Sequence, residues 1–516
     1  MRNNCGRCGF SAPILIACLF VFSFSYSQKF IRTYNFPDMT GGLGLSRTSD
    51  GGFVGTGQHN GGPAGYCDVY VYRVTGCGQL LWYRTLGTAY SDGGRKVIQA
   101  ADGGFLVIGL WDDSPGSGGS YDYLLSKLDA AGNHLWTTVW NGPGNSADFG
   151  IWVTEIPGSI ITCGWTAGGP FGAWNGVLAV YTTNGGFLWA KAFGGGSDDF
   201  FNSVHVSGGY IWLGGATGSF GAGGGDLWVI KTDLNGNPVW MKTYGTTGNE
   251  WVTWDVEGTP TSDGGYIIAG TTNGAGAGSS DILVVKLDGN GNVQWAKTYG
   301  GPGEERGEGI IQTSDGGYAV VGYTWSYGNG SRDATILKLD ANGNIQWAKA
   351  YGAGGCDRGV DIIEVKGGYV ISMNYNNTGA TCDVNGEYDP MFVRVDTLGD
   401  AGCNTVNAPY TTMDVTASII VNNVPASAVA NISPSVSNPI PVVGSPSPAE
   451  NFICISCSPV VPSFTMSDSV ICEGEPLILI NKTVGGGDAC FEWYANTIFL
   501  GTGDTLIVTN LTAGSY

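Results

Sequence analysis

Residues 309–351 read GIIQTSDGGYAVVGYTWSYGNGSRDATILKLDANGNIQWAKAY. Gly309 to Thr313 is a first short strand, and Ser314-Asp315-Gly316-Gly317 turns the chain. Tyr318 to Tyr323 is a second strand, and a glycine-rich loop runs from Trp325 to Arg332. Asp333 to Asp340 is a third strand, and Ala341-Asn342-Gly343-Asn344 is a hairpin turn, where Asn-Gly supplies the positive φ angles that such turns need. Ile345 to Tyr351 is a fourth strand carrying Trp347. Four antiparallel strands in a unit of about 52 residues make one blade of a β-propeller.

Working outward, the turn recurs as Asp50-Gly51-Gly52-Phe53, Asp102-Gly103-Gly104-Phe105 and Asp263-Gly264-Gly265-Tyr266. Weaker copies stand at Pro157-Gly158-Ser159-Ile160, Ser207-Gly208-Gly209-Tyr210 and Lys366-Gly367-Gly368-Tyr369, giving seven units 50 to 56 residues apart. The seventh unit runs through its third strand, Met391 to Asp396, and no tryptophan strand follows. The missing strand stands at the other end, as Phe30-Ile31-Arg32-Thr33-Tyr34, to be compared with Trp295-Ala296-Lys297-Thr298-Tyr299. The expected fold is therefore all-β: a seven-bladed propeller over residues 28–403, with an N-terminal strand completing the last blade and removing a free sheet edge.

The 516 residues include 88 Gly, only 13% are charged, and the net charge is -20. Such a chain lacks the Lys and Arg clusters that nucleic acid requires. Arg2 and Arg7 followed by the apolar run Ile14 to Phe24 read as an export signal over residues 1–27, with cleavage after Ser25-Tyr26-Ser27. Leu15-Ile16-Ala17-Cys18 offers a competing lipoprotein reading, in which Cys18 carries the anchor. No later segment is long and apolar enough to cross a bilayer, so a secreted or cell-surface location is expected. Ten cysteines remain after the signal, in a compartment that allows disulfides. Cys67 and Cys77 flank one strand and lie too far apart to join, whereas Cys356 and Cys382 fall in loops on one face of one blade.

The Asp-Gly-Gly-Tyr turn, the strand ends Lys286-Leu287-Asp288 and Lys338-Leu339-Asp340, and Trp295-Ala296-Lys297 resemble repeats of secreted bacterial surface proteins that use the type IX export route. Leu287 to Trp295 also resembles the tryptophan-docking repeat of quinoprotein-type propellers. Both resemblances imply a fold rather than an activity.

Six acidic residues mark the loop from each fourth strand to the next first strand: Asp92, Asp148, Asp199, Glu250, Glu305 and Asp357. First strands line a propeller's channel, so these carboxylates could form a collar around its mouth and hold Ca²⁺ through oxygen ligands. They could equally accept backbone N–H bonds from neighbouring loops. The loops between second and third strands vary most and carry Trp111, Phe171, Trp174, Phe220, Trp325 and Tyr327, which could stack on sugar rings, pack against a protein, or fold their own loops. The repeated tryptophans, Trp82 to Trp347, and Phe30 are expected to pack blade on blade. Each third strand opens with Asp or Asn and carries Lys or Arg five residues later in six of seven units, read as turn-capping and blade-bridging groups.

Three histidines in no metalloprotease motif, and no Gly-x-Ser-x-Gly elbow, argue against most enzyme classes, although a pair of collar acids could serve a glycosidase. Residues 404–457, rich in Val, Ser, Asn and Pro, read as an extended linker. Residues 458–516 resemble an incomplete immunoglobulin-like or PKD-like sandwich, carried by Cys472-Glu473-Gly474-Glu475-Pro476-Leu477, Trp493-Tyr494 and Leu511 to Tyr516. The expected role is adhesion or ligand binding at a propeller face by a monomer, toward a glycan or a surface protein and without an organic cofactor. A glycan hydrolase and a purely structural surface component are the alternatives.

Overall fold

The computed structural model describes, apart from residues 77, 145 and 353, residues 30–35, 39–60, 67–112, 121–251, 257–375, 389–402, 405–437, 439, 441–444 and 449–455, and short strands within 21–26 and 464–508. The chain divides into two compact units: Gln28–Ser456, and Met1–Ser27 together with Cys457–Tyr516.

The larger unit is a seven-bladed β-propeller. Blade 6 shows the pattern. Glu305–Gln312, Tyr318–Thr324, Asp333–Leu339 and Ile345–Tyr351 pair in sequence order, each antiparallel to the next. Asp315 organises the turn after the first strand by accepting the Gly317 N–H at 2.9 Å and the Thr313 hydroxyl at 2.5 Å. The same carboxylate meets Lys338 of the third strand at 2.8 Å. Equivalent pairs are Asp50–Arg73, Asp102–Lys127 and Asp263–Lys286. The basic residue of the third strand thus ties back to the Asp-Gly-Gly turn of its own blade. The blade-bridging role expected for that residue is joined here by a tie within its own blade.

Neighbouring blades interlock through the fourth strand. Trp295 lies on the hairpin of blade 6, where a methyl group on Gly343 would stand 2.7 Å from the indole. Gly343 also has φ 74°, a conformation few residues other than glycine hold. The Trp295 indole N–H donates to Ala341 O at 3.3 Å, the Tyr299 hydroxyl to Gly343 O at 2.6 Å, and Lys297 to Asn342 O at 2.7 Å. Blades 4 and 6 repeat the lock onto the next hairpin through Trp240 and Tyr244, and through Trp347 and Tyr351. The tryptophans therefore pack blade on blade.

The ring closes in the same way. Phe30–Asn35 pairs antiparallel with Asp389–Asp396 as the fourth strand of blade 7. The Tyr34 hydroxyl donates to Gly78 O in the hairpin of blade 1. Tyr34 is fully buried, in one cluster with Tyr72, Phe53 and Phe392 from both blades. The N-terminal strand thus makes at the seam the contacts that other fourth strands make within the repeat.

Residues 405–455, expected as a linker, belong to the propeller. They wind round its outside against the order of the blades, adding a fifth strand to each. Thr405–Asn407 joins blade 6, Thr411–Asp414 blade 5, Ile420–Asn423 blade 4 and Val429–Ile432 blade 3. Ser435–Ser437 joins blade 2, Val442–Gly444 blade 1 and Ala449–Ile455 blade 7. Valine-rich chain with little charge suits a strand, and the fourth strands present an unpaired edge that this strap covers. Ala408, Val415, Val424, Ala428 and Ile432 are buried against the blades.

The smaller unit contains two three-stranded sheets. Val21–Tyr26, Cys490–Ala495 and Ile498–Thr502 form one; Phe464–Met466, Leu477–Asn481 and Thr505–Val508 form the other. Val21–Tyr26 lies inside the segment read as an export signal. Among the described residues no helix is long and apolar enough to cross a membrane. Cys67 and Cys163 are not joined in a disulfide, while Cys356 is disulfide-bonded; its expected partner, Cys382, lies outside the described residues.

Candidate functional site

The six acids expected to ring the mouth have no exposed surface. Glu305 accepts the Gly301 N–H at 2.7 Å and the Thr324 hydroxyl at 2.8 Å. Glu250 accepts from the Thr246 N–H at 2.8 Å and from the Thr246 and Thr272 hydroxyls at 2.7 and 2.8 Å. Asp199 takes the Gly195 N–H at 2.7 Å and the Ser219 hydroxyl at 2.8 Å. Asp92 takes the N–H groups of Thr88 and Asp112, and Asp148 that of Gly142. Asp357 is likewise buried, where blade 6 meets blade 7. Burial pushes Asp92 and Asp148 up to about 7 against the pull of these hydrogen bonds. A buried carboxylate held by a backbone N–H and hydroxyls fixes its loop. The third-strand acids act similarly: Asp226, Asp281 and Asp333 each accept two N–H groups from the loop before them. Among the described residues no group of three or more His, Cys, Asp or Glu side chains is arranged to hold a metal ion.

Of the loop aromatics, Trp111 is buried, Phe171 and Phe220 pack on blade cores, and Tyr327 packs edge-on against Tyr410 of the strap. Trp174 lies against Trp165 at 4.8 Å. Trp325 alone of the six is exposed, at 43%.

The residues that gather near the propeller axis are others. Six inner strands carry a β-bulge at one register position, between Gly42 and Gly44, Gly94 and Lys96, Gly150 and Trp152, Phe201 and Ser203, Gly307 and Gly309, and Gly359 and Asp361. In blade 5 the inner strand is split, and Glu257 occupies the place after the bulge, opposite Ala269. A bulge re-aims the following side chain. Here it sends side chains from non-adjacent blades across the axis. Lys96 of blade 2 meets Asp361 of blade 7 at 2.5 Å and Glu257 of blade 5 at 4.0 Å, and lies over the Trp152 ring of blade 3 at 3.9 Å. Asp361 is held further by the Leu45 N–H at 2.8 Å. His205 of blade 4 packs on Trp152, and burial together with Lys96 pushes its imidazole down to about 4. Burial, reinforced by Asp361, pushes Glu257 well up, while Lys96 pulls it back. These groups form a charged, mutually satisfied floor.

One level nearer the loop face, the residue after each collar acid forms a rim that does not repeat. It is Gly93, Phe149, Phe200, Trp251, Arg306 and Arg358 in blades 2 to 7, and Gly41 in blade 1. On the side of blades 3 and 4, Phe149 stacks on Trp165 at 3.9 Å, and Trp165 touches Phe200 at 5.2 Å. Tyr121 of blade 2 reaches Phe149 at 5.5 Å. On the side of blades 6 and 7, Arg306 and Arg332 lie over the same Tyr323 ring, at 5.7 and 4.8 Å. Arg358 grips buried Glu308 with two N–H groups at 3.1 and 2.8 Å. Burial pushes Glu308 up to about 8, with Arg306 and Arg332 pulling the other way. Arg306 also pairs with Glu304 at 2.6 Å, and its side chain stays one-third exposed. Sequence reading missed both levels. Their one signal was position: the floor place changes residue type on almost every blade, and the rim place is glycine, phenylalanine, tryptophan or arginine, while the neighbouring acids repeat.

The sheet order defines the class, a seven-bladed propeller belted by its own chain. No protein-family model matches the chain. It is 24% identical over 406 residues to the regulatory protein FlaEY of Caulobacter vibrioides, an alignment covering 69% of this chain and 40% of that protein. The chain thus spans less than half the length of that relative. Among solved structures it is similar to a protein of unknown function from Bacteroides caccae, with 11% identity, a TM-score of 0.31, and coverage of 57% of this chain and 93% of that one. An exo-β-1,3-galactanase from Clostridium thermocellum gives 11% identity and a TM-score of 0.28, over 75% of this chain and 100% of that one. At these scores the fold assignment rests on the strand pairing.

Proposed function

We propose that this chain is a secreted or surface-displayed binding protein that engages its ligand at the axial rim of the propeller and does not turn it over. The observation that carries the reading is the rim: at one inner-strand level the blades present Gly93, Phe149, Phe200, Arg306 and Arg358, where the flanking positions repeat. In a repeat protein, a position that varies among the units while its neighbours repeat is released from the shared architectural demand. Such positions on a rigid scaffold suit recognition. The export-like N-terminus supports display outside the cell, and residues 458–516 would then serve as an immunoglobulin-like or PKD-like spacer.

Hydrolysis has less support. Asp199 and Glu305, the acids that a glycosidase reading would use, are buried and occupied by loop N–H and hydroxyl groups. A glycan array probed with the purified protein, followed by product analysis of each glycan bound, tests the proposal. Binding without product release is expected. Turnover that disappears in Glu305→Gln would replace this reading with the hydrolase.

A further inference from the structure

We infer that the axial floor is a self-modification site: the Lys96 side-chain nitrogen and the Asp361 carboxyl join as an amide, with Glu257 moving the protons, so that blade 2 is bonded covalently to blade 7. The link stands independently of whatever the rim binds.

Lys96, Glu257 and Asp361 stand at the same place after the bulge in blades 2, 5 and 7. Trp152 and Ser203 hold that place in blades 3 and 4, and Gly44 and Gly309 in blades 1 and 6. One amine and two carboxyls thus converge from three blades that are not neighbours. Lys96 Nζ is 2.5 Å from Asp361 Oδ2 and 4.0 Å from Glu257 Oε1. Lys96 and Asp361 are buried, and Glu257 largely so. An amine at hydrogen-bond distance from one carboxyl oxygen stands roughly 3–3.5 Å from the carboxyl carbon, the separation of a near-attack arrangement. The Trp152 ring covers Nζ at 3.9 Å. Asp361 is pinned on both oxygens, Oδ2 by the Leu45 N–H at 2.8 Å and Oδ1 by the Ile362 N–H at 2.9 Å, so its carbon meets the nitrogen in one orientation.

In water a lysine and an aspartate remain an ion pair, because both charges are solvated and any amide competes with bulk water. Burial works against both obstacles, since separated charges are costly in a dry interior. One proton passes from the Lys96 ammonium to the Asp361 carboxylate and leaves an amine beside a carboxylic acid. The nitrogen lone pair forms the N–C bond at Cγ, and the carbonyl electron pair moves onto Oδ1, where the Ile362 N–H receives it. Glu257 delivers a proton to Oδ2 and takes one from the nitrogen; the C–Oδ2 bond breaks and the oxygen leaves as water. The three hydrogens of the ammonium end as one amide N–H and two in the water, and no oxidant, reductant or further reactant is needed. Burial, then Asp361, push the Glu257 carboxyl well up, so the relay starts with its proton in place. The link would close a loop between residues 265 apart in the chain. Cross-links over long stretches restrict the unfolded chain most, and this one would tie the ring across its axis.

The test is mass spectrometry of the purified full chain after reduction of its disulfides. The intact mass is expected to lie one water below that of the same polypeptide unlinked. A tryptic digest should yield residues 96–127 and 359–366 as one branched species, uncut at Lys96. Lys96→Arg and Asp361→Ala each remove one end and should restore the full mass, with residues 359–366 released alone. Glu257→Gln keeps both ends and should be isolated mainly unlinked. The first measurement uses the unaltered protein, so it decides the matter even where a variant fails to fold. Full mass and separate peptides in a wild-type chain that melts cooperatively would overturn the link. A water lost with the two peptides still separate would overturn it too, as ring closure at an aspartate. Glu257→Gln linked to the same extent as the wild type would overturn the relay.

Discussion

Glu305 and Arg306 are adjacent in the chain and belong to different parts of the molecule's economy. Glu305 is one of six acids that recur with the repeat, is fully buried, and is occupied by Gly301 and Thr324. Arg306 stands at a position that is glycine, phenylalanine, tryptophan or arginine around the ring, and keeps a third of its side chain in water. The difference teaches how to read a repeat protein. What recurs on every unit answers a demand that every unit shares, namely fixing a loop or locking the next blade. What varies at one fixed position is available for something the whole ring does once.

The contrast can be broken at several points, beginning with the architecture. Deleting residues 28–36 removes the fourth strand of blade 7 and the Tyr34 lock on Gly78. It should take away much of the roughly 5–15 kcal/mol that stabilises a typical domain. A thermal melt and a protease time course would read this, and an equally robust truncated form would mean that the seam is not needed. Next comes Glu305→Ala, which strands the Gly301 N–H and the Thr324 hydroxyl in a buried loop and should cost about 3 kcal/mol in chemical denaturation. A cost near zero would return that carboxylate to the list of candidate ligand groups. Gly343→Ala should cost about 2 kcal/mol, through positive φ and collision with Trp295.

Stability should also depend on pH in a definite direction. Asp92 and Asp148 are raised to about 7 and Glu308 to about 8. Between the ordinary carboxyl range and those values, the folded protein holds protons that the unfolded chain has lost, so stability falls as pH climbs. His205, pushed down to about 4, acts oppositely below pH 6.5, because there the unfolded chain binds the extra proton. The clean window is therefore pH 6.5 to 8, where denaturation midpoints should drop by the equivalent of about 3 kcal/mol. A rise across that window would show that the buried acids are ionised in the folded state. The smallest effect belongs to Arg306→Gln, expected to change stability by no more than about 0.5 kcal/mol. A large loss there would move the rim into the architecture and erase the contrast with Glu305.

The blade was readable from one unit because its grammar is local. The Asp-Gly-Gly turn, the Asn-Gly hairpin and alternating strands specify their neighbours within a few residues, and the count of seven follows from repetition. Matching Phe30–Tyr34 with Trp295–Tyr299 anticipated the seam for the same reason. Several details were not legible. Collar acids look alike whether they face a ligand or their own loop, and only the positions of Thr246, Thr272 and Thr324 reveal which. Loop aromatics such as Trp111 and Phe220 read as exposed because loops usually are, yet here they complete blade cores.

By itself the amino-acid sequence determined the strands, the turns, the sevenfold repetition and the strand that joins first to last, all through interactions close in the chain or copied along it. Tertiary structure alone decided that residues 405–455 belt the ring, because an edge strand pairs with whatever extended chain reaches it and its sequence does not name the partner. It alone also brought Lys96 to Asp361 and Arg306 to Arg332, for the meeting point of residues on separate blades is set by the bulges and by the closing of the circle.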